Sequence, residues 1–140
     1  MKNHFIAILC LFFGVFSAQQ NAYYQQFAKY KIEADVDAAN FSYHGKQEIQ
    51  YTNNSPDELS VVYFHLYWNA FKKGSMMDQR VQNQGKNADG RLAENGVSRL
   101  SSIPKNEEGN QTINWIKQNG KDLKFEVQET ILKVYLNEKI

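Results

Sequence analysis

Tyr63-Phe64-His65-Leu66-Tyr67-Trp68-Asn69-Ala70-Phe71-Lys72-Lys73-Gly74-Ser75-Met76-Met77-Asp78-Gln79-Arg80 is the stretch whose reading decides the fold. Six aromatic or imidazole side chains fall between Tyr63 and Phe71, and the run stops at a polar segment led by Gly74. A strand that is apolar on both faces is covered on both sides. The pattern therefore predicts a central strand, Leu59 to Trp68, with two buried faces. Tyr63, His65 and Tyr67 form one face; Phe64, Leu66 and Trp68 form the other.

Upstream of it the residues alternate with period two. Tyr30, Ile32, Ala34 and Val36 interleave with Lys31, Glu33, Asp35 and Asp37. Beyond a turn at Asp37-Ala38-Ala39-Asn40, the residues Phe41, Tyr43, Gly45, Gln47, Ile49 and Tyr51 interleave with Ser42, His44, Lys46, Glu48 and Gln50. Two half-buried strands joined by about four residues make a hairpin. Asn53-Asn54-Ser55-Pro56-Asp57 is a turn, because Pro presets φ and Asn and Asp bond their own backbone.

Downstream, Asn69 to Gly96 holds four glycines, many Asn, Gln and Asp residues and few aliphatics. Such a segment buries little, so it is expected as a long loop and as the least ordered part of the domain. Val97 to Ile103 is expected as a short strand ended by Pro104, and Thr112 to Gln118 as another. Asn119-Gly120 is the strongest type I′ hairpin signal in the chain. Leu123, Phe125 and Val127 alternate after it, Gln128-Glu129 turns, and Ile131 to Leu136 forms one more strand. No stretch carries a helical period. The prediction is an all-β fold of about seven antiparallel strands, an antiparallel β-sandwich or curved saddle-like sheet.

The N-terminus is of another kind. Lys2 is followed by the apolar run Phe5 to Phe16 and by small residues at Ser17-Ala18. This is the order of a secretory signal peptide, residues 1–18, with cleavage after Ala18 or Ser17. An uncleaved anchor is the plainer alternative. The reading makes the protein exported, periplasmic or extracellular, with no stable membrane anchor after cleavage. Cys10, the one cysteine, lies in this run, so residues 19–140 have neither a disulfide nor a thiol ligand to offer. Of 16 Lys and Arg residues one is Lys2, which leaves 15 against 15 Asp and Glu. That balance argues against nucleic acid as a partner.

Chemistry-bearing residues are few. His44 and His65 are the histidines beyond the leader, and neither sits at a metal-ligand spacing from the other. Gly-rich phosphate loops, nucleophile elbows and His-Glu-x-x-His are missing from the sequence. Asn40-Phe41-Ser42 and Asn110-Gln111-Thr112 fit the N-glycosylation pattern, but turn chemistry accounts for both asparagines. Met76-Met77 stands out, since flexible thioethers in a polar segment either tuck beneath it or line a groove or domain interface.

Tyr-Thr-Asn-Asn-Ser-Pro-Asp (51–57), Phe-His-Leu-Tyr-Trp-Asn-Ala-Phe (64–71) and Gly-Ser-Met-Met-Asp (74–78), with the later Ile116–Lys121 hairpin, together resemble a known family. They look like the N-terminal domain of secreted bacterial zinc aminopeptidases of the gluzincin family, which includes aminopeptidase N and leukotriene-hydrolase-like enzymes. The likeness spans about Tyr24 to Leu136. It implies that residues 19–140 are an incomplete, non-catalytic, saddle-shaped β-domain packing on a downstream catalytic domain and walling its cleft. Zinc and peptide substrate would belong to the complete enzyme, whose His-Glu-x-x-His and Gly-x-Met-Glu-Asn-like motifs do not occur here. No catalytic or metal residue, and no cofactor, is carried over to this chain, which is expected to be inactive alone. Phe71, Ser75, Met76, Met77 and Asp78 are the candidate cleft or interdomain contacts. The competing expectation is a free-standing secreted β-sandwich that binds a glycan, peptide or protein through residues 69–96.

Overall fold

The computed structural model describes residues 24–140, so the signal-peptide reading of residues 1–18 falls outside what is described. The described residues divide into two compact units, the first ending at Pro56 and the second Asp57–Ile140.

In the first unit, β1 (Phe27–Asp37) and β2 (Ser42–Thr52) form an antiparallel ribbon in register from Phe27↔Thr52 to Asp37↔Ser42. The expected turn closes it. One Asp37 carboxylate oxygen accepts the backbone N–H groups of Ala39 (3.0 Å) and Asn40 (3.1 Å), and the other accepts the Asn40 amide (2.7 Å). At the open end the Gln26 amide donates to Asn53 Oδ1 (2.9 Å), and Gln26 Oε1 accepts the Asn54 N–H (2.9 Å). Opposed residues share a face, so Tyr30, Ile32, Ala34 and Val36 lie with Ile49, Gln47, Gly45 and Tyr43. The charged face sets Lys31 across from Glu48 and Glu33 across from Lys46. Tyr30, Ile32, Val36 and Tyr43 remain exposed.

The second unit contains β3 (Val61–His65), one α-helix α1 (Met76–Gln84), β4 (Ala93–Glu94), β5 (Val97–Ser98), β6 (Lys117–Gln118), β7 (Lys121–Asp122), β8 (Phe125–Gln128) and β9 (Ile131–Tyr135). Its main sheet is antiparallel, in the order β3-β9-β8. Leu66, Leu123, Leu132 and Val134 form the core, with Val62, Phe64, Ile113, Ile116, Phe125 and Leu136 packed around them. The architecture is all-β, built of open antiparallel sheets. β6 and β7 flank Asn119 (φ 52°) and Gly120 (φ 82°), the two left-handed positions that a type I′ turn requires.

Three expectations are corrected. The apolar stretch supplies an edge strand, because β9 is central and β3 pairs on one side only. One of its faces is buried and the other is open. Leu66 is 2% exposed and Phe64 half-buried, while Tyr63 (62%), Tyr67 (72%) and Trp68 (54%) reach solvent. Tyr63 lies across from Lys133, itself across from Glu126, so its row is polar. Tyrosine and tryptophan tolerate such rows, since each carries a polar handle. The strand also stops early. Leu66 leaves the extended region (φ −103°, ψ 75°), donates its N–H to the Thr130 carbonyl (2.7 Å), and Tyr67–Phe71 winds into a 3-10 turn.

Second, residues 69–96 are not a structureless loop. They hold that turn, α1, a 3-10 turn at Gly85–Asn87, and a hairpin of β4 and β5 turning through Asn95 (φ 50°) and Gly96 (φ 81°). Third, the strands expected at Val97–Ile103 and Thr112–Gln118 shrink to two residues each, and a 3-10 turn, Leu100–Ser102, follows the first.

Candidate functional site

The five candidate residues lie on the segment from the 3-10 turn into α1. Ser75 is the N-cap of α1 and its hydroxyl accepts the Asp78 N–H (3.2 Å). The same hydroxyl donates to the Ala70 carbonyl (2.6 Å), which ties the cap to the preceding turn. Asp78 is 1% exposed, and it sits in the first turn, where the helix dipole favours an anion. Its carboxylate accepts the Gly74 N–H (2.7 Å) and the Ser101 hydroxyl (2.8 Å). Ser101 in turn accepts from the Gln82 amide (2.9 Å).

Burial by itself pushes the Asp78 carboxyl up. The Ser98 hydroxyl, the Gly74 N–H, Gln82 and Ser101 together outweigh it and lower the pKa to about 2. Ser98 is fully buried, and its hydroxyl, although it favours the ionised form of Asp78, completes no hydrogen bond in this structure. Asp78 is therefore an ionised structural hub. It joins the start of α1 to the β5–Ser101 segment, where Val81, Ala93 and Leu100 are also buried.

A second tie comes from Asn69, which is 3% exposed although the sequence reading placed it in a loop. Its amide donates to the Glu129 carbonyl (3.0 Å), and its Oδ1 accepts the Gln111 N–H (2.8 Å). Beside it, a Cβ on Gly109 would lie 2.8 Å from Phe71 Cβ and 2.9 Å from the Trp68 carbonyl oxygen, so only glycine fits. Phe71, half-buried, tilts against Trp68 with ring centroids 6.0 Å apart.

On this fixed base, Met76 is 70% exposed and Met77 half-buried, while Tyr67 and Trp68 are open to solvent. The His65 and Tyr67 rings stack at 5.2 Å and 16°. Phe71, Ser75 and Asp78 are thus brought together as supports, and Met76 is presented outward. Asn69, Gly109 and Ser101 were missed by sequence reading, because their partners lie 19 or more residues away and leave no local pattern. Within the same segment, Gly85, Lys86, Ala88, Gly90, Ala93, Asn95 and Gly96 line an open depression of about 500 Å³.

Among the described residues no three His, Asp, Glu or Cys side chains converge, and His44 and His65 are both exposed. Asn40 donates to Asp37 and Asn110 to Thr112 Oγ1 (3.1 Å), the turn roles expected of both. No protein-family model, curated protein or solved structure matches this chain.

Proposed function

We propose that this chain is the non-catalytic N-terminal β-domain of an exported zinc metallopeptidase, an aminopeptidase that removes N-terminal residues from peptides. In this reading the catalytic domain follows in the same polypeptide and holds the zinc. The Tyr67–Asp78 segment is the face turned toward it, with Phe71, Ser75, Met76, Met77 and Asp78 near the cleft. The observation that carries the reading is the contrast within this segment. Met76, Tyr67 and Trp68 are exposed apolar side chains on a base held rigidly by Ser75, Asp78 and Asn69. Exposed aromatics and methionine on a fixed support are the composition of an interface core. The motif resemblance over residues 51–78 supplies the identity of the partner domain.

The natural full-length polypeptide is to be assayed with aminoacyl reporter substrates, with and without a zinc chelator. Chelator-sensitive release of the N-terminal residue is expected, and Met76→Glu is expected to weaken it. A full-length product with no such activity contradicts the reading. The Gly85–Gly96 depression favours the second reading, a free-standing binding module. That reading expects ligand binding by the same product and no peptidase activity.

A further inference from the structure

We infer that the outer edge of β1 is a self-association surface, on which a second copy of this chain pairs antiparallel about Ile32. Among the described residues β1 pairs with β2 alone, so one edge of an 11-residue strand is open. Two-stranded ribbons are marginal in water, and three or more strands are needed for independent stability. Charged side chains on an edge, lysine above all, repel an incoming strand of like charge. β1 carries both signs, with Lys29 and Lys31 in its first half and Glu33, Asp35 and Asp37 in its second, so it admits a strand whose charges run in the complementary order.

A two-fold axis at Ile32 places Lys31 opposite the second copy's Glu33, and Lys29 opposite its Asp35. Each pair occurs twice. Because Lys31 already faces Glu48 within the ribbon and Glu33 faces Lys46, the row across four strands reads Glu48, Lys31, Glu33, Lys46. Charge alternates along it with no like neighbours, the arrangement that stabilises cross-strand pairs. The same register sets Tyr30 beside Ala34, so the apolar face becomes continuous over four strands. Parallel in-register pairing sets lysine against lysine and is disfavoured. One strand edge contributes less than the roughly 1,200 Å² typical of a stable interface, so the dimer is weak and concentration-dependent.

The test follows the mass of the mature full-length protein by analytical ultracentrifugation over its soluble concentration range. A monomer–dimer equilibrium weakened by salt is expected. Lys29→Asp opposes acid to acid across the axis and shifts the protein to monomer; its neighbour within the ribbon is the neutral Gln50, so the fold is spared. Adding Asp35→Lys restores the dimer. Independently, Ile32→Cys, in a mature chain with no other cysteine between residues 19 and 140, cross-links to its own copy under mild oxidation, whereas Val36→Cys does not. A monomer at every concentration overturns the inference. So does a dimer indifferent to Lys29→Asp, or equal cross-linking at positions 32 and 36.

Discussion

Asp78 shows how one side chain organises a segment that composition alone labels a loop. It is 1% exposed and accepts bonds from Gly74 and Ser101, so its removal strands buried donors. Asp78→Ala is expected to cost about 2–3 kcal/mol in chemical denaturation, from unpaired donors and a weakened helix start. The pH dependence has a definite sign. The folded pKa of about 2 lies below the ordinary 3.8, so this group's contribution is fully present above pH 3.8 and is lost as pH falls toward 2. It amounts to roughly 2 kcal/mol, and Asp78→Asn should flatten that part of the stability profile. A denaturation series between pH 5 and pH 2 checks this, and identical wild-type and variant profiles would count against the hub. Gly109→Ala is expected to cost about 1–3 kcal/mol, because its Cβ meets Phe71 and the Trp68 backbone at under 3 Å.

At the level of elements, what the sequence disclosed depended on whether the signal was local. The β1–β2 ribbon was legible because period two runs unbroken through both strands, and Asp37–Asn40 supplies its own turn bonds. Asn119-Gly120 was legible for the same reason. α1 was hidden, since Met76, Met77 and Val81 are too few to make a helical stripe. Its evidence lay in its ends, the Ser75…Asp78 cap and Gly85 at φ 53°. The strand Leu59–Trp68 was drawn too long because aromatic residues were equated with burial. Tyr63, Tyr67 and Trp68 are wet, and Leu66 alone in Leu66–Asn69 reaches the main core cluster. Leu66→Ala is accordingly expected to cost about 2–5 kcal/mol. Tyr67→Ser, at a site 72% exposed, should change stability by less than about 0.5 kcal/mol. Thermal denaturation of the two variants separates these outcomes, and equal losses would show that β3 has been assigned the wrong buried face.

For the whole molecule, the candidate site was half legible. The resemblance singled out Phe71, Ser75, Met76, Met77 and Asp78, but their division of labour needed coordinates. Ser75 and Asp78 are spent on holding α1, and Met76 is the residue left to meet something else. The proposed function places that partner, and the zinc, in the following polypeptide. The reading frame past codon 140 is the most direct test of this claim. Sequencing it is predicted to find an uninterrupted continuation that carries His-Glu-x-x-His with a further glutamate downstream. A stop codon shortly after codon 140, or a continuation without that zinc motif, would contradict the account.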